Sequence, residues 1–419
     1  MKRFHLIARN ACVSTKRLRL DIITQQLRSF SSRSQPLRPF EIEQYDGWHV
    51  PTAAPGLSDS DCEPLKMAEL LSMADEDCKQ QWEELCLGYP PRVYGDVRLR
   101  QEIMRLLYPL HGSGDSINCM VPQEGIFCGL QALLEPGDAV IVAAPCYQSL
   151  NEIPRSLGCR IQHWHPDMVS VGGTSFFRFD PKKLEGLMEK QAYQTRAVVV
   201  NFPHNPTRAL PTLGEWQEII QLCDQHGVYV FCDEMYRGLE QPGVDRLPPA
   251  IETYERGISL GGLSKAYGLA GLRLGWIAAR DETYLQRVQQ IKDYTTICPS
   301  TPTQTLARIA LSKHDTLVKR CQDIVWDMRR QVSLFVQKHS DQLEWVEPQA
   351  GSMIFPRLQG NLSARAYCDR LLHEAGIMLL PSSLFDYGNG HTKDDSRVRI
   401  SLGRTTIPQT LGIWEEYGI

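Results

Sequence analysis

Residues 259–276 read SLGGLSKAYGLAGLRLGW and place Lys265 between two glycine-rich runs. Glycine carries no side chain, so a chain rich in it lets its backbone approach a ligand closely. Arg273 follows the lysine by eight residues, within the second glycine-rich run. This stretch therefore suits ligand approach better than packing.

The sequence before this stretch alternates helical and strand patterns from about residue 96, in the manner of βαβ units. Short apolar runs such as AVIVAAP (139–145) and VYVFCDE (228–234) predict strands that helices cover on both faces. Polar side chains gather at the carboxyl ends of these runs, which is the edge where open α/β sheets bind ligands. The pattern predicts an α/β large domain with a mostly parallel sheet sandwiched by helices.

The pattern changes at about residue 281, where long helices and then short strands with a helix between them follow. This change predicts a second, smaller α+β domain. We divide the chain into a basic leader (1–38), an N-terminal segment joining the small domain (39–75), a large ligand-binding domain (76–290), and linking helices with the C-terminal small domain (291–419).

Charge separates the leader from the rest of the chain. Residues 1–38 hold nine Lys/Arg and one acid, whereas the remainder carries a net charge of −12, which disfavours nucleic acid as the main partner. Basic residues among apolar ones, with RSFSSRS at 28–34, predict a mitochondrial transit peptide and a matrix location. A disordered basic tail on a cytoplasmic protein is the alternative. No apolar run approaches the length of a membrane span, and the 13 cysteines show no metal-binding spacing, so we expect neither a membrane nor a metal site.

Polar side chains stand in order at the predicted strand ends. Each one alone is commonly a helix cap, a turn residue or a packing residue. Together an amine, a carboxylate, an amide, two phenols and a guanidinium suit a flat, anionic, nitrogen-containing cofactor bound as an imine. The residues are Tyr147, Asn205, Asp233, Tyr236, Lys265 and Arg273.

Three motifs, NFPHNPT (201–207), CDEMY (232–236) and SKAYGLAGLRLGW (264–276), resemble those of fold-type I pyridoxal-phosphate enzymes of the class I/II aminotransferase family. The likeness covers roughly residues 40–419. It implies a PLP-transferase-like large domain, pyridoxal 5′-phosphate as cofactor, a Schiff base at Lys265, and a homodimer with a shared active site.

The resemblance also implies a role for each side chain around the cofactor ring. Asp233 keeps the ring nitrogen protonated, while Asn205 and Tyr236 donate hydrogen bonds to the ring oxygen. Tyr147 stacks on the ring face. Lys265, once displaced by the substrate amine, moves a proton between the substrate Cα and the cofactor.

The phosphate site departs from the resemblance at two places. Relatives carry a serine three residues before the lysine, where this chain has Gly262, and the helix that opens at Pro122 begins with an acid in its first turn. A helix N-terminus binds phosphate through its free N–H groups. Glu124 would repel the phosphate, so we expect its side chain to turn away. The implied phosphate-binding set is Arg273, Ser264, Gln123 and Glu124, with Tyr89 from the neighbouring subunit; Tyr94 is the alternative to Tyr89.

The substrate carboxylate needs a cation, and VRISLGR (398–404) matches the family's carboxylate site at Arg399. Strand alternation puts Arg397 and Arg399 on the same face, so the choice among them and Arg404 rests on the resemblance. A second substrate carboxylate would need another cation, for which Lys292 is the candidate, although a solvated lysine is the simpler interpretation. We expect residues 40–62 and 292–300 to form the side-chain pocket, with Trp48 and Tyr294 either lining it or packing in the core.

An aminotransferase that moves an amino group from an α-amino acid to a 2-oxo acid is the preferred function. The alternative is a PLP-dependent cyclase, lyase or oxidase acting on an amino acid such as an arginine derivative, in a capreomycidine-synthase-like subgroup. A non-catalytic relative is the third hypothesis, and the intact polar set opposes it.

Overall fold

The computed structural model describes residues 34–49, 56–90, 93–109, 114–190, 194–386 and 395–418. Most of the predicted leader therefore lies outside the described residues. The strands are β1 Ile117–Met120, β2 Ala139–Ala143, β3 Arg160–Trp164, β4 Asp167–Val171, β5 Thr174–Arg178, β6 Thr195–Asn201, β7 Tyr229–Asp233, β8 Gly257–Gly262, β9 Gly275–Ala279, β10 Leu343–Glu344, β11 Met353–Ile354, β12 Arg357–Leu358, β13 Leu380–Pro381 and β14 Val398–Ser401.

The helices follow the same chain order and alternate with the strands through the large domain. They are α1 Glu41–His49, α2 Met67–Ser72, α3 Glu76–Glu83, α4 Val97–Leu107, α5 Pro122–Leu133, α6 Gln148–Ser156, α7 Pro181–Glu189, α8 Leu213–Gln225, α9 Ala250–Thr253, α10 Glu282–Lys292, α11 Thr301–Ser312, α12 His314–Lys338, α13 Ala364–Ala375 and α14 Ile407–Tyr417. No helix in the described ranges is long and apolar enough to cross a membrane.

A seven-stranded sheet in the order β1-β9-β8-β7-β6-β2-β3 forms the centre of the large domain. Only β9 runs against its neighbours, since it pairs antiparallel with both β1 and β8 while the other pairs are parallel. The predicted mostly parallel sheet is thus confirmed.

Helices cover both faces of this sheet. Along β2, Val142 packs in one buried cluster with Ile126 of α5, whereas Ile141 packs in another with Ile219 of α8. Alternate strand residues point to opposite faces, so a continuous apolar run is what a doubly covered strand requires. The predicted helical sandwich is confirmed.

The second unit consists of small strand pairs and helices. Strands β11, β14 and β13 form a three-stranded sheet, β10 pairs with β12, and helices α13 and α14 contact one another. Helix α1 packs its Ile42 and Tyr45 against Leu380 and Phe385 of this unit. The exact boundaries of the four predicted segments stay predictions.

The sequence analysis missed β3 and the hairpin of β4 and β5. Strand β3 lies at the sheet edge, where only Trp164 is buried and the other residues face partly outward. The hairpin is largely exposed on both strands. Neither segment needs the continuous apolar run by which the buried strands were recognised.

Candidate cofactor and substrate site

The carboxyl ends of β6, β7 and β8 lie side by side and bring the polar motifs together. The register pairs Asn201, the last residue of β6, with Asp233, the last residue of β7. The Asn201 side chain donates to the Asp233 carbonyl oxygen at 2.7 Å and accepts from the Asn205 backbone N–H at 2.7 Å. Asn201 was not singled out from the sequence, although it opens the motif NFPHNPT. It ties the loop that carries Asn205 to the strand that carries Asp233.

A cavity of about 320 Å³ opens at this edge of the sheet. Nine of the eleven residues that the sequence assigned to the site line this cavity. They lie between the first turn of α5 and strand β14 in the sequence. The nine are Gln123, Tyr147, Asn205, Asp233, Tyr236, Ser264, Lys265, Arg273 and Arg399.

Lys265 lines the cavity three residues beyond the end of β8. Its Nζ donates to the Ser60 hydroxyl at 2.6 Å and lies 5.9 Å from the centre of the Tyr236 ring. Ser60 is a cavity residue that the sequence analysis included only within the broad range 40–62. The amine is therefore held at the junction of the large domain and the N-terminal segment.

Asp233 is buried beneath the cavity. Burial raises the pKa of its carboxyl to about 7, against the opposing effects of the Met235 backbone N–H and the Lys265 charge. The Met235 N–H donates to Asp233 Oδ1 at 3.1 Å. A buried carboxylate of this kind favours a cationic partner that reaches it through the cavity.

The phosphate end has unsatisfied donors. Ser264 Oγ is buried and has no hydrogen-bond partner among the described residues. No side chain caps the start of α5, so its first N–H groups are available to an anion. The Arg273 guanidinium also lines the cavity. These donors, together with Lys265 and Asp233, fit pyridoxal phosphate.

Gly262 occupies the place where the resemblance led us to look for a serine. A Cβ built on Gly262 would lie 3.0 Å from Pro122 Cγ and 3.1 Å from Met235 Cε, which is closer than Cβ atoms normally come. Gly262 therefore leaves the space that Pro122, at the start of α5, occupies. The hydroxyl that could bind an anion is that of Ser264 instead.

Glu124 is absent from the residues that line the cavity. Its Oε1 accepts from the Thr296 hydroxyl at 2.8 Å and from the Thr295 hydroxyl, both in the segment after α10. The side chain therefore points to that segment and does not line the cavity, although it borders a surface groove that also includes Arg273 and Tyr89.

Tyr89 also lies away from the cavity in this protomer. Its side chain is 85% exposed, and it borders a surface groove of about 790 Å³ that extends to Arg273. Tyr94 is only half-buried. The predicted contact with a neighbouring subunit's phosphate stays a prediction for both tyrosines.

Among the three candidate arginines, Arg399 is the one that lines the cavity. It is 4% exposed, its Nη2 donates to the Ser58 carbonyl at 2.8 Å, and its guanidinium lies 5.1 Å from the Phe385 ring centre. The Arg397 guanidinium stacks on Phe177 at 4.9 Å. Arg404 pairs with Asp59 at 3.2 Å and with Asp61 at 3.0 Å.

The N-terminal segment contributes four cavity residues, which are Ile42, Glu43, Ser60 and Asp61. All four lie within the range 40–62 predicted for the side-chain pocket. Glu43 accepts a hydrogen bond from the Tyr147 hydroxyl at 2.8 Å. Burial, with the nearby Glu43 carboxylate, raises the pKa of Tyr147 well above its usual value.

The other pocket candidates lie elsewhere. Tyr294 is 94% exposed and does not line the cavity, and the Trp48 side chain lies outside the described residues. Lys292 is fully buried and donates to the Thr296 hydroxyl at 3.0 Å. Interpreting Lys292 as a solvated lysine is therefore wrong, and it does not line the cavity as a second cation either.

Arg208 is a neighbour of the site that sequence analysis missed. It has a positive φ of 64°, is 1% exposed, and stacks its guanidinium on the Tyr236 ring at 4.5 Å. Neither Nη1 nor Nη2 has a hydrogen-bond acceptor in the described part of the chain, and burial lowers the pKa of Arg208 to about 10. At neutral pH Arg208 is therefore a buried cation that lies behind the ring of Tyr236, which lines the cavity.

Comparison with known proteins gives a consistent result. The sequence model of the family described as aminotransferase class I and II matches residues 91–409. The chain is 30% identical to capreomycidine synthase from Streptomyces vinaceus, over 77% of this chain and 79% of that protein. It is 26% identical to arginine–pyruvate transaminase from Pseudomonas aeruginosa, over 70% of this chain and 74% of that protein. A solved structure of a PLP-dependent aminotransferase from Streptococcus suis superposes with a TM-score of 0.79 at 24% identity, covering 91% of this chain and 98% of that one, and shares its fold.

Proposed function

The chain belongs to the aminotransferase class I and II family, whose cofactor is pyridoxal 5′-phosphate, and from this premise we propose that it transfers the amino group of an α-amino acid to a 2-oxo acid. One observation carries the proposal. Lys265, Asp233 and Arg399 face a single cavity, and this gives a base, a buried carboxylate and a carboxylate-binding guanidinium in one place.

When bound, pyridoxal phosphate supplies an aldehyde carbon that takes up an amino group and a protonated ring that accepts the electrons of the cleaved Cα–H bond. Asp233 would keep the ring nitrogen protonated, because its buried carboxylate is stabilised by a cation. Asn205 and Tyr236 would donate hydrogen bonds to the ring oxygen. Arg273, Ser264 and the start of α5 would hold the phosphate.

The remaining residues act on the substrate. Arg399 grips the α-carboxylate through two parallel hydrogen bonds, which fixes the direction of the Cα–H bond. The Lys265 amine would act as the base that takes the proton from the substrate Cα and as the acid that returns it. The Ser60 hydroxyl accepts a hydrogen bond from the Lys265 amine, so Ser60 holds the amine in position.

A PLP-dependent cyclase, lyase or oxidase acting on an arginine derivative is the second candidate. The specific observation in its favour is the 30% identity to capreomycidine synthase over most of both chains. The same lysine and carboxylate serve both reaction types, so the cavity residues alone do not separate them.

We extend the proposal to assembly and location. A homodimer with Tyr89 at the neighbouring phosphate is supported by the exposed apolar surface of Leu87 and Tyr89 beside the groove that reaches Arg273. Light scattering after size-exclusion chromatography tests the dimer. The basic leader supports import into the mitochondrial matrix, which fractionation of cells and N-terminal sequencing of the mature chain would test.

The decisive experiment incubates the purified holoenzyme with a panel of L-amino acids and a 2-oxo acid acceptor. We expect one donor to be converted to its 2-oxo acid while the acceptor gains one amino group per donor consumed. Ammonia release without amination of the acceptor, or a cyclic amino acid product, would instead establish the second candidate. A panel that includes arginine and hydroxyarginine separates the two.

A further inference from the structure

The substrate side of the cavity is acidic. Glu43 and Asp61 both line it, and Asp59 lies beside Asp61 on the same segment. Arg404 is shared between the two aspartates, at 3.2 Å from Asp59 and 3.0 Å from Asp61. One guanidinium therefore faces two carboxylates, and Glu43 adds a third.

The cations of the cavity already have other partners in the proposed reaction. Arg273 faces the phosphate, Arg399 faces the α-carboxylate, and Lys265 is the base. Arg208 does not line the cavity and stacks on Tyr236, whereas Lys292 is buried elsewhere. In the described part of the chain Glu43 forms no ion pair, and its hydrogen bond comes from the neutral Tyr147 hydroxyl.

Packing fixes Glu43 relative to Arg399. The neighbouring residue Ile42 packs in a cluster with Leu380 and Phe385, and the Phe385 ring lies 5.1 Å from the Arg399 guanidinium. The Glu43 carboxylate and the Arg399 guanidinium thus face the same cavity, and both are positioned by packing around Phe385. A substrate held at its α-carboxylate by Arg399 would share this cavity of about 320 Å³ with the Glu43 and Asp61 carboxylates.

We propose that Glu43 binds a cationic group at the end of the substrate side chain, so that the amino donors are amino acids with a guanidinium or ammonium terminus. This inference rests on the proposed use of Arg399 for the α-carboxylate. A cation neutralises the unpaired acid, whereas the second carboxylate of aspartate or glutamate is repelled by it.

The test measures binding to the holoenzyme by calorimetry, with ligands that lack an α-amino group and so undergo no transamination. The probes are 5-guanidinopentanoate and hexanoate, which share the carboxylate but differ in the terminal cation. We expect the guanidino acid to bind at least about tenfold more tightly, as a hydrogen bond to a charged group provides. Glu43→Gln should remove this preference and leave hexanoate unchanged.

Two control variants separate charge recognition from a structural role. Glu41→Gln removes a carboxyl on the same helix that does not line the cavity, and it should leave both affinities unchanged. Tyr147→Phe removes the hydroxyl that Glu43 contacts and should retain the preference. The inference is overturned if both probes bind equally to the unaltered enzyme, or if Glu43→Gln weakens both to the same degree. Failure of the aminotransferase assay with an intact preference would count against the proposed reaction and not against this inference.

Discussion

The two ends of the cavity are built in different ways. The cofactor end comes from the start of α5, from Tyr147, and from the strand ends and turns between Asn201 and Arg273. The substrate end is assembled from α1, the segment around Ser58 and β14, and the Arg399–Ser58 hydrogen bond joins residues 341 positions apart. The first end is encoded in short motifs, whereas the second depends on how distant segments pack.

Replacing Lys265 breaks the cofactor end most severely. Lys265→Ala removes both the amine that binds the cofactor and the base that moves the proton, so turnover should fall by about 10⁴-fold or more. Kinetics and the visible absorbance of the purified protein measure the two losses. Lys265→Arg is the matched variant, because it keeps the charge near Ser60 without the reactive amine. Retention of the covalent cofactor absorbance in Lys265→Ala would refute the central role of this residue.

Asp233→Asn tests the buried charge at the same end. The substitution keeps the shape of the side chain but leaves the protonated ring nitrogen without its anion. Removing one partner of a buried ion pair costs roughly 3–5 kcal/mol, so we expect turnover to fall by about 10²- to 10³-fold. Steady-state kinetics at saturating cofactor check this. Near-normal turnover would show that the ring nitrogen does not rely on Asp233.

Arg399→Ala carries the comparison to the substrate end. Loss of a buried cation that grips a carboxylate costs about 2–5 kcal/mol, which should raise KM for the amino donor by about 30-fold or more while the cofactor absorbance stays. Arg397→Ala is the matched control, since that side chain stacks on Phe177 outside the cavity. An equal effect of both variants would remove the assignment of the carboxylate site to Arg399.

The difference between the two ends also explains what the sequence could predict. The doubly covered strands of the sheet produced continuous apolar runs, and Lys265, Asp233 and Asn205 stand at fixed offsets from their ends. Ser60 and Glu43 have no such local signal, because a serine or an exposed glutamate gains its role only from the segment packed against it. The position of Arg208 could not be predicted for the same reason, because its stacking on Tyr236 depends on the conformation of a loop.

The raised pKa of Asp233 predicts a pH dependence of stability in the cofactor-free chain. Its carboxyl has a folded-state pKa of about 7, above the ordinary value of 3.8, so the folded chain binds a proton more tightly than the unfolded chain. The free energy of unfolding should therefore decrease as pH rises from about 4 through 7. Thermal unfolding of the unaltered chain and of Asp233→Asn across this range isolates the effect. Identical slopes for the two proteins would show that Asp233 is not buried as an unpaired carboxyl.

Arg208→Gly has the smallest expected effect and tests whether the cofactor end also depends on a residue from outside its motifs. The left-handed φ of 64° suits glycine, so the backbone should tolerate the change, while the cation behind Tyr236 is lost. A nearby cation favours the deprotonated form of groups around it, so its removal should raise the pKa read from the visible absorbance of the bound cofactor by about one unit. Arg208→Lys keeps the charge and should shift this pKa less. If Arg208→Gly folds and binds cofactor with an unshifted pKa, the guanidinium only fills space behind Tyr236, and the cofactor end depends on its own motifs alone.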